Sequence, residues 1–173
     1  MPVSIPLPSL LASATGIAGS AWASGFIASL SLAGVPAALQ LSAPSSAIVW
    51  HSLFNSGFAL MPKFAVTTIA AYFYAAYTAQ KQGHAWKGLV VGAVSTVSII
   101  PFTILFMKST NELLFKAVAG TLEASQEDVA KLIGRWGFLN LVRSLIPLAG
   151  AVAGFSALLQ SITASDRGGK NLK

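Results

Sequence analysis

GLVVGAVSTVSIIPFTILFM, residues 88–107, runs for twenty positions without a charged side chain. An α-helix rises about 1.5 Å per residue, so a run of this length matches the roughly 30 Å hydrocarbon core of a bilayer. Working outward, three more uncharged runs appear. Leu10 to about Leu39 is built from Ala, Gly, Ser, Leu, Ile and Val, inside a first 62 residues that hold no Lys, Arg, Asp or Glu. Residues 64–80 and 144–165 complete the set, and the apolar stretch before Lys63 lengthens the former. The pattern predicts an all-α, integral membrane four-helix bundle with spans at about 10–39, 56–80, 87–107 and 137–162, forming one membrane domain over residues 1–173. A signal peptide has a basic start and an apolar stretch of only about 7–15 residues, so the first run is expected to be a retained helix.

The joints are unequal. A short turn carrying Gly83 links spans two and three, whereas the joint 108–135 holds four of the five acids. Its apolar residues Leu113, Leu114, Ala117, Val118 and Leu122 recur at helical spacing, which predicts an additional amphipathic helical segment. Ser125, followed by Glu127 and Asp128, reads as a helix start.

Composition points the same way. The chain is 54% hydrophobic and only 9% charged, against roughly 25% in soluble domains. Its mean hydropathy is +0.70. That excludes most soluble enzymes and disordered tails. With no cysteine there is no disulfide, thiolate metal site or cysteine nucleophile. The formal charge is +6, but the cations stand singly between apolar runs, so basic membrane-flanking joints are expected and nucleic acid is not. Lys81, Lys87, Arg167, Lys170 and Lys173 share one side of a four-span chain, and Lys63, Lys108, Lys116, Lys131, Arg135 and Arg143 the other. The balance is close; the cations just after the last span favour both termini cytosolic. Small residues recur at Ala12, Gly16, Ser20, Ser24 and Ala28, and as Gly88/Gly92 and Gly150/Gly154. Such seams let helix backbones approach closely, within the bundle or between copies as a homo-oligomer.

Polar residues in apolar helices mark functional places. One group is Trp50-His51, with Asn55 four residues on. A second brackets the end of span three: Thr103, Thr110 and Asn111 around Lys108. The third, Trp136, Asn140, Arg143 and Pro147, falls at i, i+4, i+7 and i+11, one helical stripe. A four-span topology brings all three to one end of the bundle. His51, Asn111, Asn140 and Arg143 are expected to line one cavity there. His51 is the only group in the set whose unperturbed pKa suits proton transfer near neutrality. His84, between Lys81 and Lys87, reads as a solvated loop residue. No metal is expected, because the His, Asp and Glu residues show no ligand spacing, and the nucleotide and hydrolase motifs are missing.

At these three places the sequence resembles the fungal anthrone oxygenases. The stretches are WHSLFNSGFALMP (50–62), IPFTILFMKSTNELL (100–114) and WGFLNLVRSLIPLAG (136–150). The resemblance implies oxidation of a polyketide anthrone to the anthraquinone by dioxygen, in fungal secondary metabolism, through an enolate and without a cofactor. Within it, His51 would be the base, with Arg143 and Asn140 as donors to the enolate and phenol oxygens. Trp50, Phe102, Thr103, Phe106, Thr110, Asn111 and Trp136 would surround a small lipophilic aromatic substrate. A fungal protein of this kind is expected in the endoplasmic reticulum. A membrane protein that binds or carries lipophilic aromatics without chemistry is the competing reading.

Overall fold

The computed structural model describes residues 5–170, and side chains as far as residue 165. Arg167, Lys170 and Lys173, used above for orientation, carry side chains outside the described set. Four helices make up the fold: α1 (Leu7–Ala38), α2 (Ala43–Lys81), α3 (Lys87–Val118) and α4 (Gln126–Lys170). All four are long and apolar enough to cross a membrane, and there is no strand among the described residues. The architecture is the expected all-α bundle.

The helices overrun the apolar spans. α2 begins at Ala43, where Pro44 suits a first turn whose N–H groups have no intrahelical partner. The joint 108–135 is not a separate helix: residues 108–118 continue α3, and residues 126–135 are the first turns of α4. The break between them has a local cause at each end. Gly120 takes a φ of 67°, Thr121 N–H donates to the Lys116 carbonyl and Gly120 N–H to that of Ala117, which closes α3 in a Schellman turn. Ser125 then opens α4: its Oγ accepts from the Asp128 N–H, while the Asp128 carboxylate accepts from the Ser125 N–H and hydroxyl. The Gln126 amide adds a clamp, donating to the Leu41 carbonyl at 2.9 Å and accepting from the Ala43 N–H.

Two helices widen into π-helical turns, at Leu30–Gly34 in α1 and Thr103–Met107 in α3. Each lies beside a proline, Pro36 and Pro101. Pro36 lacks an N–H for the Leu32 carbonyl, which lies inside the first wide turn, whereas Pro101 sits just ahead of the second, at the end of regular α-helix.

The chain divides into two compact units. The first joins the described residues up to Trp22 with Phe64–Ser98 and the chain from Ile146 onward. Tyr72 is its fully buried centre, packed with Ala75, Ala79, Leu89 and Ala93. A side-chain carbon added at Gly16, Gly92 or Gly154 would strike the Tyr72 ring, so the small-residue seams of α1, α3 and α4 form a slot for one aromatic side chain of the same chain. The second unit is Ala23–Lys63 with Ile99–Leu145, built around Trp50, Met107, Leu114, Ile133 and Trp136. It contains every expected site residue.

Candidate active site

Arg143 is the centre of the second unit's polar network. One guanidinium nitrogen, Nη1, donates to Thr103 Oγ1 at 2.8 Å, and Nη2 donates to Asn140 Oδ1. The i, i+3 spacing on α4 makes the second bond local. Thr103 passes its own proton to the Ile99 carbonyl at 2.8 Å, leaving its lone pairs free for the arginine. Asn140 has no accessible surface; its amide N–H groups go to the Ile27 carbonyl at 2.8 Å and to Ser31 Oγ at 3.0 Å. Ser31 and Thr103 each sit in one of the two π-helical turns. Those turns thus supply both side-chain partners of the Asn140–Arg143 pair from outside α4. Four acceptors fix the guanidinium and the amide in one orientation.

Beside this network stands an aromatic cluster. The Trp50 and Trp136 rings meet edge to face, 6.1 Å between centroids at 90°. Phe54 and Phe115 pack on Trp50 at 5.5 and 5.2 Å. His51 lies half-buried against Phe115 at 5.7 Å, with its Nε2 3.1 Å from the Asn55 amide nitrogen. An amide nitrogen only donates, so Nε2 accepts and the ring proton belongs to Nδ1 in this arrangement.

Among the described residues, seven buried side-chain polar atoms have no hydrogen-bond partner, and five belong to the three sequence groups: Trp50 Nε1, Thr110 Oγ1, Asn111 Oδ1, Trp136 Nε1 and Arg143 Nε. Each such atom costs about 1–3 kcal/mol in desolvation, and native proteins carry few. Three are N–H donors, one is a hydroxyl and one a carbonyl. Together they complement a ligand with anionic or carbonyl oxygens and a hydroxyl of its own.

The structure corrects several expectations. Asn140 spends both amide N–H groups on the protein, so it holds Arg143 and is not itself a free donor. Of the residues expected to line one cavity, His51, Asn111, Asn140 and Arg143, Asn140 has no accessible surface. Phe106 is 54% exposed and packs on Phe102 at 4.9 Å with the rings tilted by 41°, on the outside of the unit. His84 belongs to the first unit and is half-buried, with its Nε2 buried. Sequence reasoning missed Ser31 and Ile27. A serine in an apolar run shortly before a proline was the available signal, but many serines share it.

These features define a class: a small four-helix protein of membrane type, with an arginine-centred polar network beside a tryptophan pair. Comparison with known proteins narrows it. Residues 50–153 match the family described as anthrone oxygenase. An anthrone oxygenase of Aspergillus fumigatus is 34% identical over 87% of this chain and 95% of its own length. An anthrone oxygenase of Aspergillus terreus is 37% identical over 83% of the chain and 96% of its own length. A noranthrone monooxygenase of Aspergillus flavus is 37% identical over 75% of the chain and 65% of its own length. No solved structure matches. The chain belongs to the anthrone oxygenase family.

Proposed function

We propose that this protein is a membrane oxygenase that converts a polyketide anthrone to the anthraquinone with dioxygen, in fungal secondary metabolism. The supporting observation is the set of five unpartnered buried polar atoms, all in the three stretches that carry the family resemblance. An anthrone has a methylene between two aromatic rings, opposite a ketone. Loss of one methylene proton gives an enolate whose charge sits on the ketone oxygen. The enolate passes one electron to dioxygen, the two radicals combine at the former methylene carbon, and the hydroperoxide loses water to leave a second ketone. One dioxygen is consumed and one water released, with no outside reductant, so dioxygen is a co-substrate and no cofactor is invoked.

In this reading His51 takes the proton on Nε2, giving up its bond from Asn55. Arg143 Nε and the tryptophan N–H groups face the developing oxyanion, where fixed donors in a water-poor site act most strongly. Thr110 and Asn111 pair with phenol groups. The substrate's lipophilicity gives the membrane setting its purpose, and the endoplasmic reticulum is the proposed compartment. The test is oxygen uptake together with quinone absorbance, using purified protein in micelles given an anthrone. Rates well above protein-free micelles are expected. Binding of the anthrone without faster oxidation would replace this reading with that of a carrier.

A further inference from the structure

The two remaining unpartnered buried atoms, Gln82 Oε1 and His84 Nε2, lie in the turn between α2 and α3, within the first unit. That unit holds a cavity of about 330 Å³, lined by His84, Trp86, Lys87 and Gly88 on one side and by Ser156 and Gln160 of α4 on another. Its walls are fixed by the backbone. Gly83 at φ 72° closes α2 with His84 N–H on the Ala79 carbonyl and Gly83 N–H on that of Gln80. Ala85 N–H donates to Ser161 Oγ at 3.2 Å, tying the turn to α4. A side-chain carbon at Gly88 would strike the Ala153 carbonyl and Ala157, so the start of α3 lies directly on α4.

Among the described residues the lining offers an ammonium, an imidazole and an amide, and no carboxylate, while the Ser156 hydroxyl spends its proton on the Val152 carbonyl at 2.9 Å. Among the described side chains the carboxylates, Glu112, Glu123, Glu127 and Asp128, all belong to the second unit. A cavity with this donor set suits a tetrahedral oxyanion. Trp86 and the adjoining apolar turns of α3 place it at the end of a membrane-crossing helix, the level of lipid headgroups. We propose that this cavity is a phosphate site that takes the headgroup of an anionic phospholipid, a role separate from the oxidation chemistry of the second unit. Basic pockets between membrane helices on the cytoplasmic side are known to act in this way.

Native mass spectrometry of the full chain, titrated with dioleoylphosphatidic acid or dioleoylphosphatidylcholine, tests it. One phosphatidic acid adduct is expected at concentrations where phosphatidylcholine gives none, with inorganic phosphate competing only weakly. Lys87→Gln should weaken that adduct about fivefold, the effect of roughly 1 kcal/mol for one basic residue near an anionic surface. Gln160→Leu, which leaves the charges alone, should also weaken it about fivefold, as expected for one hydrogen bond. Lys81 serves as control: its ammonium lies 4.7 Å above the Tyr77 ring and does not line the cavity. Lys81→Gln should leave the adduct intact. Equal losses from Lys81→Gln and Lys87→Gln would overturn the proposal in favour of diffuse surface charge. So would equal binding of the two lipids, or stabilisation by inorganic phosphate with no phosphatidic acid adduct.

Discussion

Arg143 ties α3 to Asn140 through two guanidinium nitrogens and leaves the third, Nε, without a partner, which the proposed function assigns to the substrate. Arg143→Ala should therefore lower turnover per folded molecule by about 100–1,000-fold, the usual cost of one oxyanion donor. Arg143→Lys keeps the charge but loses the planar fork, so it should recover only part of that rate. A headgroup anchor would instead accept lysine fully and show its loss with alanine as less folded protein. Counting turnover against folded protein separates the two. Asn140→Leu makes a different case. It strands Arg143 Nη2 and Ser31 Oγ, so thermal unfolding should show a loss of about 1–3 kcal/mol, and turnover should fall with it because the arginine is released. The stripe Trp136–Asn140–Arg143 was legible from helical spacing alone. Asn140's true employment was not, since its partners Ile27 and Ser31 lie 113 and 109 residues away and no local pattern connects them.

Helices α1 and α3 each carry a π-helical turn where an ordinary helix would aim its polar side chain elsewhere. Pro101→Ala restores an N–H for the Val97 carbonyl and lets the chain tighten just ahead of the wide turn that starts at Thr103. Helical content should be kept, while turnover should drop about 10–100-fold as Thr103 shifts against Arg143, because misplacement by about 1 Å can cost 100-fold. Circular dichroism and a rate measurement on one sample check both halves. Apolar runs revealed the four helices but misjudged their ends. Lys108, Glu112 and Lys116 mark where the lipid core stops, not where hydrogen bonding does, so α3 continues through them to the Gly120 turn. Where capping chemistry was local, as at Ser125, the sequence was a sufficient guide. The π-helical turns were not legible, because proline announces a broken ladder without saying how the chain repairs it.

On the scale of the whole molecule, the protein turns its large apolar side chains outward: Leu105, Phe58 and Val66 are 74%, 72% and 69% exposed. Lipid surrounds the helices, so close packing rather than the hydrophobic effect must hold them, and Tyr72 in its glycine slot is one such contact. Tyr72→Ala should cost about 3–5 kcal/mol, the range for emptying a buried aromatic site. The loss should appear as a lower yield of folded protein in micelles, while turnover per surviving molecule changes little, since every contact of Tyr72 described above lies in the first unit. The direction of the chain adds something to the Arg143 network. Ile27, Ser31 and Thr103 precede Asn140 and Arg143 in order of synthesis. An arginine at mid-bilayer costs about 2.5–3.5 kcal/mol on insertion scales. The ribosome releases that arginine on α4, after Thr103 has been made and together with Asn140, whose own acceptors Ile27 and Ser31 are older still. Biogenesis therefore never has to hold a solitary charge in lipid while waiting for its partners to be made.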